Sequence, residues 1–276
     1  MAYANIHDTR RLPPPVRYIL DLIAYRHLCW NLVASDLRSR FRRSFLGIVW
    51  AIIQPLSFAL MIGIVWGSIL QSGDYWTFAI YVFSGLIVWE YFATVVNISQ
   101  DSLINADGYL KQTRIPFLIF QLRVPLGGMI IFLCGFAGLI VFGGMLNRLP
   151  PLGPHLLLVP IFLLLLLMFA IPLAVLMSIL GALFRDVKYI SQIGVQALFF
   201  ISPVMLERGV FERPELQFLK YANPAVSLLD LFRVPVLYGE FWHVDSLMAL
   251  LAWISALWLL AALAAVKAGR RIVFAL

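Results

Sequence analysis

Residues 36–56 read DLRSRFRRSFLGIVWAIIQPL. Arg38, Arg40, Arg42 and Arg43, with Arg26 upstream, stop at the edge of an apolar run, and Ser44-Phe45-Leu46-Gly47 leads straight to Trp50 and Pro55. Lys and Arg concentrate in cytoplasmic segments. A cationic approach followed at once by a span therefore fixes which side of a membrane the start of the chain faces, and every later assignment follows from that anchor.

The 276 residues are 62% hydrophobic and 13% charged, with a mean hydropathy of +0.91. An average soluble domain carries about 25% charged residues. Several uncharged runs are near the ~20 residues that cross a hydrocarbon layer, so the fold class is an all-α integral membrane protein. A net charge of +7 would suggest nucleic acid in a soluble chain; here it reads as cytoplasmic loop charge, and no nucleic-acid partner is expected. Cys29 and Cys134 belong to no metal-ligand spacing, and the four histidines form no HxxxH pair, so no metal is expected. No uninterrupted apolar core precedes residue 47, and Pro13–Pro15 break the arm. The first span is accordingly expected to act as an uncleaved anchor.

Working outward, residues 1–46 divide into a loose arm and a basic amphipathic stretch. Leu22, Ile23, Tyr25, Leu28, Leu32, Val33 and Leu37 recur at helical spacing against Arg26, Asp36, Arg38 and Arg40, which fits a helix lying in the membrane interface or one docked on a partner. The remainder, 47–276, divides into six spans near 47–70, 76–98, 126–146, 156–183, 190–204 and 246–266. Gly63 and Gly67 have the spacing of close helix packing. Pro116 and Pro125 punctuate the polar break at 99–125, and Pro160 and Pro172 predict a kink in the fourth span. The fifth run is short, and the pieces near Leu216–Leu219 and Ala225–Leu237 are too short to cross alone. Asn223-Pro224 predicts an N-cap followed by proline at the first helical position. Cytoplasmic 1–46, 99–125, 184–189 and 267–276 collect sixteen of the 21 Lys and Arg, leaving Arg148, Arg208, Arg213, Lys220 and Arg233 outside. Both ends inside then require an even number of crossings, met by six spans with a re-entrant helical pair near 206–242. Non-helical backbone at that depth must border protein or a watery conduit.

The chemistry is as much in what is missing. The chain has no GxxxxGK[ST] phosphate loop and no catalytic constellation: Asp101, Asp107 and Asp186 are dispersed on the cytoplasmic side. Glu90, in Trp89-Glu90-Tyr91-Phe92, is the one clear intramembrane acid. It either faces a hydrated channel or makes an inter-helix hydrogen bond. Trp50, Trp89, Tyr91, Phe92, Phe199 and Phe200 offer stacking surfaces to a sugar, or pack against lipid and core.

Taken in order, RSRFRRSFLGIVWAIIQP (38–55), GLIVWEYF (85–92), SLINADGYLKQTRIPF (102–117), FRDVKYI (184–190), FFISPVM (199–205) and KYANPAVSLLDLFR (220–233) resemble the permease subunit of ATP-binding-cassette polysaccharide exporters. That family moves lipid-linked O-antigen, capsule or teichoic-acid chains. The resemblance covers roughly residues 36–240 and implies a homodimeric channel, not an enzyme, in a bacterial cytoplasmic membrane. Two copies of a separate ATPase would bind the ATP and magnesium, with no cofactor in this chain.

It further implies that Arg38, Arg40, Arg42 and Arg43 stand at the substrate entrance, where arginine geometry suits phosphate, or equally hold anionic membrane lipids. A helix near 105–116, with Asn105, Asp107, Tyr109, Leu110, Lys111 and Arg114, would dock on the ATPase, and Arg185 and Asp186 would make a second contact. Pro203, Asn223 and Pro224 would belong to a periplasmic gate near 206–242. Alternatives within reach of the residues are a small-molecule exporter permease and a membrane enzyme acting on lipid-linked substrates.

Overall fold

A computed structural model describes residues 22–69, 74–108, 115–206 and 217–275, and among these every regular element is helical. Helix α1 is Arg26–Arg40. A short 3₁₀ turn, Gly47–Val49, leads into α2, Trp50–Ile69. Then follow α3, Tyr75–Ser99; α4, Leu118–Met145; α5, Leu158–Leu183; and α6, Val187–Phe200. Two short helices, α7 (Gln217–Ala222) and α8 (Pro224–Arg233), precede a π-helical turn at Val234–Tyr238 and the long α9, Val244–Ala275.

Five helices are long and apolar enough to cross a membrane: 47–66, 75–99, 118–145, 154–183 and 244–267. The expected fifth crossing corresponds to α6, whose 14 residues span about 21 Å at 1.5 Å per residue. That is short of a bilayer core, and the turn at 201–206 follows it directly.

Helix α3 is the hub. Fifteen of its 25 residues are buried, and it packs on α2, α4, α5, α6 and α8. Its interior face is lined by Val82, Phe83, Leu86, Ile87 and Val95. Around it Phe132, Phe136, Phe162 and Phe232 form a ring cluster with centroids 5.3–6.5 Å apart, a spacing typical of edge-to-face pairs. Gly63 meets α3 so closely that a Cβ there would lie 2.8 Å from the Cβ of Ala79. That glycine is spent on packing within the protomer.

Three boundaries differ from the sequence expectation. Helix α1 stops at Arg40, leaving Arg42 and Arg43 in the turns that follow, with Arg43 at φ 64°. Helix α4 begins at Leu118 and runs through Pro125 instead of starting after it; apolar packing on both flanks overrides one proline's propensity. Helix α9 continues past Val266 through the basic tail to Ala275, a stretch without proline.

Candidate functional site

Two adjoining clefts open at the end of the bundle where α1, the end of α3 and the start of α4 meet. The larger, about 370 Å³, is lined by Asp36, Arg40, Asn105 and Arg123 over a floor of Gly127 and Gly128. The smaller, about 40 Å³, runs on to Trp50, Gln54 and Glu90. Arg40, Thr94, Gly128 and Ile131 line both, so they form one path from the basic edge into the flank of α3.

The glycines set its depth. A Cβ on Gly128 would meet the Tyr91 ring at 3.2 Å, and one on Gly127 would touch Val33 of α1 at 3.8 Å. Cys29 and Val33 are the buried residues of α1, and they seat that helix on α4. Arg123, largely buried on α4, lies 3.5 Å from the Asp36 carboxylate, and its Nε makes no hydrogen bond. The cleft thus presents Arg40 and Arg123 beside two acids, Asp36 and Glu90. Arg38, Arg42 and Arg43 are exposed outside it; Arg38 Nε donates to the Ala34 carbonyl at 3.2 Å.

The aromatic expectations separate. Trp50 and Phe200 are exposed, whereas Trp89, Tyr91 and Phe92 are buried. Trp89 packs on Phe92 and Phe199 with centroids at 5.3 and 5.4 Å, and Phe92 on Phe169 at 6.3 Å. Trp89 and Phe92 are core residues of the protomer and offer no face to a ligand; only Tyr91, Trp50 and Glu90 of that group reach the cleft. The alternation of a span hides this, because neighbours on a helix point a hundred degrees apart.

Beside the cleft, the segment after α3 and the start of α6 are tied together. Lys188 Nζ donates to Asp101 at 2.7 Å, and Gln100 Nε2 donates to Ser191 Oγ at 2.5 Å. The Asp101 carboxylate holds the Lys188 ammonium above its ordinary pKa. Any side chain at Gly181 would run into the Gln100 carbonyl, so α5 joins the same knot backbone to backbone. Arg185 and Asp186 stand exposed in the turn between α5 and α6, with Asn105 exposed and Asp107 half-buried nearby in sequence to the knot. Tyr109, Leu110, Lys111 and Arg114 lie outside the described residues, as does 207–216 of the expected gate.

At the opposite end, Arg233 is buried and ends α8. Its Nε donates to Ser84 Oγ at 3.0 Å, and Nη2 donates to the Tyr81 and Val204 carbonyls at 2.9 and 2.8 Å; Nη1 donates to the Pro203 carbonyl. Asn223 caps α8 as its sequence predicts, accepting from Ala225 N–H at 3.0 Å, and Pro224 occupies the first helical position. The Asn223 amide also donates to Ser202 Oγ at 2.9 Å. Pro203, Asn223 and Pro224 are therefore brought together, through Arg233 and Ser202. The sequence pattern puts Arg233 among the external cations and Arg123 in a loop, whereas the structure buries the first and sets the second on α4. A lone arginine closing an apolar ten-residue helix was the available signal for the first.

The sequence pattern of the ABC-2 type transporter family matches residues 27–237. The chain is 26% identical over 238 residues to the O-antigen export system permease protein RfbA of Myxococcus xanthus, covering 86% of this chain and 90% of that one. It is 23% identical over 228 residues to the protein of the same name from Klebsiella pneumoniae, covering 81% and 85%. With most of its length matched in a single stretch, the chain belongs to the ABC-2 type transporter family.

Proposed function

We propose that this chain is the channel-forming subunit of an ABC exporter that passes a lipid-linked polysaccharide, of O-antigen type, across the bacterial cytoplasmic membrane. The observation that carries this is the match to O-antigen export permeases along most of both chains, and the cleft supplies a matching chemistry. A lipid-linked glycan carries phosphate where the lipid and sugar join. Arg40 and Arg123 stand at a cleft reached from the edge of the bundle, and arginine forks suit phosphate oxygens. The Asp36 carboxylate lies 3.5 Å from Arg123 at the same cleft.

Export needs free energy, and the chain has no nucleotide-binding loop. A separate ATPase, in two copies, would bind ATP and magnesium and press on 105–116 and on Arg185–Asp186. A second copy of this chain would complete the channel: α2 exposes Phe58, Met61, Ile64 and Val65 in succession. In this reading the basic end is cytoplasmic, both termini with it. Helix α6 with the turn after it forms the fifth, incomplete crossing, and 206–242 the re-entrant gate.

The test is a pull-down of the tagged chain from its own membranes in mild detergent. Recovery of a nucleotide-binding subunit whose ATP hydrolysis responds to lipid-linked polysaccharide is the expected result. Recovery of the chain alone would overturn the proposal.

A further inference from the structure

We propose that α6 is a strut between the ATPase-facing loops and the gate, and that the Asp101–Lys188 pair is the joint through which it is driven. This rests on the exporter reading above.

The helix is held in an unusual way. Of its 14 residues only Val195 is buried, and Tyr189, Ile190, Ile193 and Phe200 stand out from the bundle. Along its middle, little apolar surface is buried within the protomer. Its ends, by contrast, are fastened by polar contacts. At the basic end Lys188 and Ser191 are held by Asp101 and Gln100. At the far end Asn223 donates to the Ile201 carbonyl at 3.3 Å and to Ser202 Oγ, and Arg233 donates to the Pro203 and Val204 carbonyls.

A hydrogen-bonded helix is stiff along its axis, and its length here, about 21 Å, reaches from one clamp to the other. Helix α3 passes beside it with fifteen buried residues, so shifting α3 would disturb a close-packed core. Displacement of the 99–108 segment is therefore delivered more readily to α6 than along α3. The near joint suits this role: an ion pair that is half-exposed on both sides adds little to stability, yet fixes the direction in which the two segments move together. Asp101 precedes the first expected docking segment and Lys188 follows the second contact, Arg185–Asp186, so the pair ties together the chain flanking the two without itself belonging to either.

The experiment compares Asp101→Lys, Lys188→Asp and the swapped double variant in cells lacking the unaltered chain. Three readings are taken: recovery of the ATPase with the tagged chain, ATP hydrolysis by the purified complex, and surface display of the cell's own polysaccharide per complex. Each single reversal is expected to keep the ATPase bound and hydrolysing while display falls by roughly tenfold, within the usual range of coupling between sites. The swap is expected to restore display to the unaltered level, since the pair and not either charge is what matters. Single variants that display normally, or a swap that restores nothing, would overturn the strut. Where a reversal fails to accumulate in the membrane, Asp101→Asn and Lys188→Gln are read by the same criteria. An unaltered chain that recovers no ATPase would instead sink the exporter reading itself.

Discussion

The Arg233 guanidinium lies 3.7 Å from the centre of the Tyr81 ring, at the close end of cation–π contact. The Tyr81 hydroxyl, in turn, donates to the Leu206 carbonyl at 2.6 Å. One arginine and one tyrosine thus join three separate pieces of chain: α3, the turn after α6, and the end of α8. Backbone carbonyls and one serine take the Arg233 donors in these contacts. The fork matches that arrangement and a lysine does not. Arg233→Met is expected to leave several acceptors dry, at about 1–3 kcal/mol for each one unsatisfied. Arg233→Lys is expected to recover only part of the loss. Thermal unfolding in detergent measures both, and an unchanged transition in Arg233→Met would show the contacts to be idle.

Gly85 is fixed by the same arginine. A Cβ there would run into Arg233 Nη2 and lie 2.9 Å from the Val204 carbonyl. Gly85→Val is expected to displace the guanidinium and so to destabilise about as much as Arg233→Met. Because both changes remove one set of contacts, the double variant is expected to be no less stable than the worse single. Additive losses would place Gly85 outside the network.

How much of this was legible beforehand depends on the kind of signal. Apolar length announced α2, α3, α4, α5 and α9, and Asn223-Pro224 announced the start of α8, since both are local properties of the chain. The start of α4 was misplaced because Pro125 is a local breaker overruled by packing on α1 and α3. The cleft was half legible: Arg40 and Glu90 were named, but Arg123 was read as loop charge, and its pairing with Asp36 spans 87 positions of sequence. For Trp89 and Phe92 the sequence leaves open a stacking surface or core packing, and the structure places both in the core. Their burial depends on which face of α3 meets α5 and α6, which no residue spacing within α3 encodes.

The turn signal Asn105-Ala106-Asp107-Gly108 leads into Tyr109 and Leu110, the apolar pair of the segment expected to dock on the ATPase. A charge placed in an apolar protein contact is costly to desolvate. Leu110→Asp is therefore expected to abolish recovery of the ATPase with the tagged chain while the chain still accumulates in the membrane. Normal co-purification of this variant would move the docking site elsewhere.

Asp74 caps α3 at the end away from the cleft. Its carboxylate accepts from Thr77 N–H at 3.3 Å and from Thr77 Oγ1 at 2.8 Å, and Arg148 Nη1 donates to it at 2.5 Å. The Thr77 hydroxyl above all, with the Arg148 charge, holds its pKa below the ordinary aspartate value. A depressed folded pKa contributes stability that is present above the unfolded value, about 4. That contribution is lost as pH falls through the folded one. Asp74→Asn keeps a capping side chain but cannot titrate. The unaltered protein is expected to lose thermal stability more steeply than Asp74→Asn below about pH 4, and parallel pH profiles would deny the carboxylate this role.

Arg40 and Glu90 both line the narrow part of the cleft. A phosphate that enters here meets both, and an ionised Glu90 then competes with it for the Arg40 guanidinium. Removing the arginine and removing the acid's charge consequently have opposite expected effects on binding. Arg40→Gln is expected to raise, by roughly tenfold, the concentration of lipid-linked polysaccharide that half-stimulates ATP hydrolysis, as suits loss of a hydrogen bond to a charged group. Glu90→Gln is expected to lower that concentration while slowing release, so that surface display falls. In the double variant the effect of Glu90→Gln on half-stimulation is expected to vanish, because the acid acts only through Arg40. Independent effects in the double variant would separate the two residues, and a Glu90→Gln variant that exports normally would show that its charge has no part in transport.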